Sequence, residues 1–404
     1  MERRDFIKNC SIALTGTLLL NGCKSRDISV KEGQISRRKF QDITLPLLGL
    51  GCMRLPMLDK EVDMKELDSI VDYCIQHGAN YFDTAYRYVD YKSEIAIGKS
   101  LNRYNRSDFL LADKSPIRFL KSKEDIYKIF REQLKKCRVE YFDFYMAHNI
   151  NINTYENFKQ FDMYNELSKY KNDGKIRYLG FSFHGSTEML RELIKEHKWD
   201  FCMLQINYLD WNVVKAQEQY DIVTKAGIPV MAMEPLRGGG LVNLPDEAMK
   251  KLQSVYPDVT PASFGLRWVA SRKNIITVLS GMSNIKQVRE NIDTFVNYKV
   301  MTKKEEQTAQ DIAQIIQSQG EINCTACKYC MEVCPRGINI PAIFALYNQY
   351  KITKDKRFFL IYYNSLAGSE RADKCIKCNV CNTNCPQSLD IPSLLAKIDD
   401  EVKA

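Results

Sequence analysis

Asn80-Tyr81-Phe82-Asp83-Thr84-Ala85-Tyr86-Arg87-Tyr88 is an apolar, strand-like run that ends in an acid, with a tyrosine five residues further on. A helix-like segment opens just afterwards, at Ser93-Glu94. A strand that stops at a polar group and turns into a helix is the unit of a parallel sheet whose strand ends feed a pocket. Two later runs repeat the arrangement: Phe109-Leu110-Leu111-Ala112-Asp113-Lys114 and Tyr141-Phe142-Asp143-Phe144-Tyr145-Met146-Ala147-His148. Asp, Lys and His at consecutive strand ends, with a Tyr beside the first, are the parts of an acid–base site.

The alternation extends in both directions from this stretch. Strand-like runs fall at 48–52, 81–85, 109–112, 142–147, 176–183, 201–207, 229–233 and 275–279. Helix-like runs fall at 64–77, 93–101, 124–137, 158–172, 187–197, 218–226, 261–271 and 284–295. In the first helix Leu67, Ile70, Val71, Cys74 and Ile75 share a face. Asp173-Gly174 and Gly227 are helix ends, and Pro261 sits in a first turn. Eight strands alternating with eight helices over ~250 residues predict an α/β chain folded as a (β/α)8 TIM barrel. An open doubly wound sheet is the alternative, but no Gly-x-Gly-x-x-Gly turn follows the first strand. The C-terminal strand ends of a barrel form its active face. Asp83, Lys114, His148, Ser182, Gln205 and Glu234 all fall there.

The last quarter has a different chemistry. The chain holds 14 cysteines in 404 residues, and eight of them form Cys324-x-x-Cys327-x-x-Cys330-x-x-x-Cys334-Pro335 and Cys375-x-x-Cys378-x-x-Cys381-x-x-x-Cys385-Pro386. This is the doubled run that holds 4Fe–4S clusters, in which the fourth cysteine of each run serves the other cluster. It predicts two clusters, one on Cys324, Cys327, Cys330 and Cys385, the other on Cys375, Cys378, Cys381 and Cys334. Zinc would favour paired Cys-x-x-Cys sites without the Cys-Pro ending, and disulfides are the remaining alternative. The repeat continues in Gly337-Ile338-Asn339-Ile340-Pro341 and Ser388-Leu389-Asp390-Ile391-Pro392, each opening a helix-like run. The aromatic-rich stretch between the runs is helical in pattern. The tail thus reads as a mainly helical ferredoxin-like domain at 321–404, reached by a polar helical linker at 301–320. Cys52, Cys74, Cys137 and Cys202 lie on apolar faces and read as core.

Residues 1–23 carry a charged start, Arg3-Arg4-Asp5-Phe6-Ile7-Lys8, and an apolar run from Ile12 to Leu20 that is shorter than the ~20 residues a bilayer requires. The start resembles a twin-arginine export signal. Leu20-Asn21-Gly22-Cys23 resembles a bacterial lipobox with Cys23 as the lipidated residue. An N-terminal helix of a cytosolic protein is the alternative. Residues 24–35 read as a tether, and Arg37-Arg38-Lys39-Phe40 as a strand of a hairpin ahead of the barrel. The expectation is a membrane-anchored lipoprotein, exported folded because its clusters are inserted beforehand, facing the periplasm or the cell exterior. A membrane redox partner follows from that placement.

With 58 Lys and Arg against 50 Asp and Glu, the net charge of +8 is a mild imbalance. No basic run with interleaved aromatics points to nucleic acid. A hydrophobic content of 45% is enough for one large domain and a small one.

Residues 36–300 resemble the aldo-keto reductase family. The match lies in Asp83-Thr84-Ala85-x-x-Tyr88 with Glu94, in Lys114 and in His148. It continues in Gly180-Phe181-Ser182, Gln205-Ile206-Asn207-Tyr208, Met233-Glu234-Pro235-Leu236-Arg237-Gly238-Gly239, Ser280-Gly281-Met282-Ser283 and Glu290-Asn291. The resemblance implies interconversion of a carbonyl and an alcohol on a small polar substrate, with a nicotinamide cofactor. Tyr88 would donate the proton. Lys114 would lower its pKa of about 10, Asp83 would fix Lys114, and His148 would orient the carbonyl. The resemblance places Ser182 and Gln205 at the nicotinamide carboxamide and Met233 where an aromatic commonly stacks. Pro235, Leu236, Gly238 and Gly239 would lie along the pyrophosphate, and Gly281, Gln287, Glu290 and Asn291 around the adenylate end. The family's basic residues for a 2′-phosphate are missing at Gly281, Met282 and Gln287, with Lys286 and Arg289 close by, so NADP and NAD both remain open. A hydride carries two electrons and each cluster one, and free nicotinamide is not expected outside the cytoplasm. The cofactor would then be a prosthetic group. A barrel acting only as a docking module for an electron-transfer tail is the second reading, and purely structural clusters the third.

Overall fold

The computed structural model describes residues 33–213, 216–296, 298–318, 322–353 and 356–403. The export-like start, Cys23 and the first part of the tether lie outside the described residues.

The eight strands Leu48–Gly51, Tyr81–Asp83, Leu110–Ser115, Phe142–Ile150, Ile176–Phe183, Phe201–Gln205, Val230–Met233 and Ile275–Ser280 close into a barrel. Each pairs in parallel with the next, and the eighth pairs with the first through Val278↔Leu48 and Ser280↔Leu50. The predicted order of elements holds, with shifted ends: the third strand runs on to Ser115, and the sixth stops at Gln205. The helix expected over 158–172 is two helices, Tyr155–Gln160 and Met163–Asn172, because Asp162 between them sits at φ 49°.

The bottom of the barrel is plugged. The hairpin Arg37–Phe40 and Ile43–Pro46 sends Phe40 and Leu45 inside, against Tyr81, Phe144, Tyr178 and Phe201. Phe40 meets Tyr178 edge-on at 4.9 Å, a favourable arrangement of ring quadrupoles. The top is left as the open face. Residues 33–35 are no free tether: Ile35 is fully buried and its N–H bonds to the His77 carbonyl at 3.0 Å.

The linker also differs from expectation. Lys303–Ser318 is helical, but Ala309, Ile312, Ala313 and Ile316 belong to the barrel's own core. Their spacing makes an apolar stripe. Ion pairs Arg267–Glu305 (2.8 Å) and Lys251–Asp311 (2.6 Å) flank it. Beyond it the tail has a separate core, built on Ile338, Ile343, Phe344, Tyr347, Phe359, Ile391 and Leu395, so it is a second domain.

Candidate active site and cysteine sets

The strand ends meet in one cavity of about 420 Å³. Asp83, Tyr88, Lys114 and His148 line it, as do Ser182, Gln205, Met233, Pro235, Leu236, Gly238, Gly239, Gly281, Gln287, Glu290 and Asn291. Every barrel residue singled out for catalysis or cofactor binding therefore faces one cavity. Glu94 does not. It is buried behind the third strand, where it accepts from Gln133 at 2.8 Å and pairs with Lys136 at 3.2 Å. The backbone around the cavity is strained: Val89, Asp90 and Tyr91 after Tyr88, Asn149 after His148, and Glu234 after the seventh strand all have positive φ, each a cost of ~1–3 kcal/mol of the kind stored at functional sites.

Lys114 is almost fully buried. Its ammonium binds Asp83 Oδ1 at 2.5 Å and the Thr84 carbonyl at 2.6 Å, and it lies 4.7 Å from the centre of the Tyr88 ring. The Tyr88 and His148 rings stand edge to face at 6.1 Å. Burial pushes the Tyr88 phenol well above its ordinary value, and the charges of Asp83 and Glu234 push it the same way. The charge of Asp83, paired with Lys114, thus works against the lowering expected from that cation. Burial, followed by Lys114 and His184, holds His148 well below the usual histidine value. Its ring is neutral at neutral pH.

The arm of the cavity towards Glu290 and Asn291 suits a polar, extended ligand. Glu234 Oε2 is buried with no partner. Gly239, at φ 98°, has open space where a Cβ would stand, so its backbone is accessible to an anion. Asn291 donates to Ser280 Oγ at 3.1 Å. Ser182 Oγ accepts from the Asn149 N–H at 2.7 Å. Phe183, beside Ser182, is buried against Phe181, and it is His184 that faces the cavity. Lys286 and Arg289 are not on the wall. Arg289 lies over the Tyr73 ring at 5.4 Å, whereas Arg54, like Lys114, lines the cleft.

The cysteines assemble as the spacing requires. Cys324, Cys327, Cys330 and Cys385 surround one cleft jacketed by Pro341, Phe344, Leu389 and Ile391. Cys334, Cys375, Cys378 and Cys381 surround another, jacketed by Pro335, Ile338, Ile376 and Leu395. The two runs also repeat in backbone conformation. Ala326 and Lys377 have φ 54° and 53°, and Lys328 and Asn379 have φ 66° and 62°. Left-handed residues on either side of the second cysteine turn backbone amides inward, and the Ala326 N–H reaches Cys324 Sγ at 3.4 Å. None of these cysteines forms a disulfide. Among the described residues no three His, Cys, Asp or Glu are arranged to hold a lone metal ion, whereas four thiols around a common cleft suit a cluster.

Residues of the tail also close the cavity. Thr325, Cys327, Tyr329, Pro386 and Gln387 complete its lining. A second chamber of about 230 Å³ shares Tyr88, His148, Cys327 and Tyr329 with it and adds Arg87, Arg118, Phe119 and Lys328. Glu332 pairs with Arg87 at 3.1 Å and Arg118 at 3.6 Å across the domain boundary. Sequence reasoning missed these tail residues as parts of the barrel's site. Their only signal was adjacency to the cysteines, which says nothing of what packs against them.

Comparison with known proteins agrees with this geometry. A family model described as the aldo/keto reductase family matches residues 47–314, and a 4Fe-4S dicluster domain model matches 323–389. An uncharacterized oxidoreductase of Bacillus subtilis is 27% identical over 67% of this chain and 95% of its own length. The NADH-specific methylglyoxal reductase of Escherichia coli is 24% identical over 62% of this chain and 90% of its own. Among solved structures, an aldo-keto reductase of Bacillus halodurans in its holo form superposes with a TM-score of 0.59 at 25% identity, covering 69% of this chain and 96% of that one. The first of these models spans more than half of the chain, so the protein belongs to the aldo/keto reductase family, as an NAD(P)-dependent oxidoreductase with a 4Fe–4S domain joined to its barrel.

Proposed function

We propose that the protein interconverts a small polar carbonyl compound and its alcohol in the cavity shared by its two domains, with NAD in the long arm and one 4Fe–4S cluster on each cysteine set. The observation that carries this reading is that Asp83, Tyr88, Lys114 and His148 meet in one cavity, on whose wall Cys327 also lies.

When bound, the nicotinamide exchanges a hydride with the substrate carbon, and each cluster carries single electrons. The chain's own residues do the rest. Tyr88 is kept protonated by burial, so in the reducing direction it can give its proton to the carbonyl oxygen. Lys114, fixed by Asp83, sits under the Tyr88 ring and orients it. His148, being neutral, acts by hydrogen bonding to the carbonyl oxygen. Ser182 and Gln205 would hold the amide end of the nicotinamide, and Glu290 and Asn291 the adenylate end. The choice of NAD rests on the wall, where Glu290 lies and Lys286 and Arg289 do not; a carboxylate there would disfavour a 2′-phosphate. The second chamber, with Phe119 and two arginines beside Tyr88 and His148, would take the body of the substrate and exclude water.

The export reading stands on Arg3-Arg4-Asp5-Phe6-Ile7-Lys8 and Leu20-Asn21-Gly22-Cys23. A folded, cluster-loaded protein anchored through Cys23 would pass electrons to or from a membrane redox partner. The second cysteine set, whose Cys378 is exposed, is the outlet for them.

The test is made on anaerobically purified protein. It is denatured, the released small molecules are identified by mass, and iron is counted on the same sample. About eight irons and one NAD per chain are expected. NADP in its place would reverse the choice of dinucleotide. A flavin would overturn the nicotinamide assignment, and iron without any organic cofactor would favour the electron-transfer reading.

A further inference from the structure

The roof of the cavity is made by the iron–sulfur domain, and its residues are all tied to one cysteine set. Thr325, Cys327 and Tyr329 lie between Cys324 and Cys330, and Pro386 and Gln387 follow Cys385 directly. Each roof residue is a thiol of that set or stands within two positions of one. The roof is fastened on the barrel at several points. Gln387, 5% exposed, exchanges two hydrogen bonds with Gln205: each side-chain amide donates to the other's oxygen, at 2.7 and 2.8 Å. Gln205 is the strand-end amide assigned above to the nicotinamide carboxamide. Arg237 donates to the Asn323 side chain at 2.6 Å and to its carbonyl at 3.1 Å. Arg54 donates to the Thr325 carbonyl at 3.0 Å.

Gly238 shows how close the two domains come. A Cβ there would stand 2.4 Å from the Thr325 carbonyl oxygen, so this glycine is required by the tail. It was expected to give backbone room to a pyrophosphate. Gly239 keeps that opening, and Gly238 does not.

We infer that the iron–sulfur domain is the second half of the dinucleotide site. Gln387 binds the amide end together with Gln205, and the roof holds the dinucleotide in slow exchange for as long as the first cysteine set carries its cluster. This rests on the nicotinamide reading given above. A dinucleotide running from Tyr88 to Asn291 passes beneath Thr325 and Gln387. To leave, it must part Gln387 from Gln205, Thr325 from Arg54 and Asn323 from Arg237. The short loop that carries Thr325, Cys327 and Tyr329 is shaped by two left-handed residues, and four thiols drawn onto one cluster would fix that shape. Without the cluster the roof would loosen and the dinucleotide would exchange.

The experiment follows NADH fluorescence on the full-length holoprotein under anaerobic conditions. Bound NADH is chased with excess NAD, and the release rate is compared with that of protein stripped of its clusters by ferricyanide and EDTA. Release should be on the order of 100-fold faster after stripping, since several hydrogen bonds are lost together. Gln387→Leu, with its cluster signals intact by electron paramagnetic resonance, should release about tenfold faster than the parent protein. Because this variant keeps its iron, it separates the role of Gln387 from unfolding of the tail. Equal release rates in holo, stripped and Gln387→Leu protein would overturn the inference while leaving the nicotinamide reading in place. If neither NADH nor NADPH binds to the holoprotein or the stripped protein, the nicotinamide reading itself falls.

Discussion

The two cysteine sets share one sequence pattern and one backbone conformation, yet they face different surroundings. Cys324, Cys327, Cys330 and Cys385 are turned towards the barrel, and Cys327 reaches the wall of the cavity that holds Tyr88. Cys334, Cys375, Cys378 and Cys381 are turned away, with Cys378 exposed. A repeated motif therefore does not mean a repeated setting. The first set adjoins the barrel's cavity and the second lies away from it.

Tyr88→Phe tests the inner side of that contrast hardest. Carbonyl reduction should fall on the order of 10²- to 10⁴-fold as the proton donor is lost, with iron content and cluster spectra unchanged. Activity close to that of the parent protein would remove Tyr88 from the chemistry. Lys114→Met should come next. It leaves the buried carboxylate of Asp83 unpaired, a loss of roughly 3–5 kcal/mol, and the double variant with Asp83→Asn should regain much of it. Urea unfolding followed by circular dichroism reads both, and no recovery in the double variant would mean that the pair is not an isolated unit.

Cys385→Ala and Cys378→Ala break the comparison directly. Each should halve the iron, to about four per chain. Only Cys385→Ala should also alter substrate KM and dinucleotide retention, because only its set adjoins the cavity. If both variants behave alike in these assays, the inner and outer sets are functionally equivalent and the distinction fails.

The smallest effect is on pH. Burial lowers the His184 ring to about 4. As the pH drops below the ordinary histidine value of about 6.5, the unfolded chain takes up a proton that the folded site refuses. Stability is therefore complete above that value and declines until the folded ring titrates near 4, by up to about 2 kcal/mol between about pH 7 and pH 5. His184→Asn should flatten this part of the profile, measured as the urea midpoint against pH. An unchanged slope would show that other groups carry it.

Much of the fold was legible because its determinants are local. The alternation of apolar strands with amphipathic helices is written residue by residue, as in 81–83 and 64–76, and it needs no partner to be read. The candidate site was legible for a related reason. A barrel brings its strand ends together whatever the sequences between them, so Asp83, Lys114, His148, Ser182 and Gln205 had to converge once the strands were placed. The ligand sets were legible from spacing alone.

The misreading of the linker concerns packing between distant segments. The helix Lys303–Ser318 looked like a linker because its polar residues outnumber its apolar ones, yet Ile312 and Ile316 complete the barrel core.

By itself the sequence determined a (β/α)8 barrel with a four-residue acid–base site and two cysteine quartets, because periodicity and ligand spacing are properties of short segments. Only the tertiary structure decided that the tail closes over the barrel mouth, that Gln387 meets Gln205 across 182 positions of chain, and that Gly238 serves the tail. Such contacts are set by which surfaces meet, and residue spacing along the chain does not encode that.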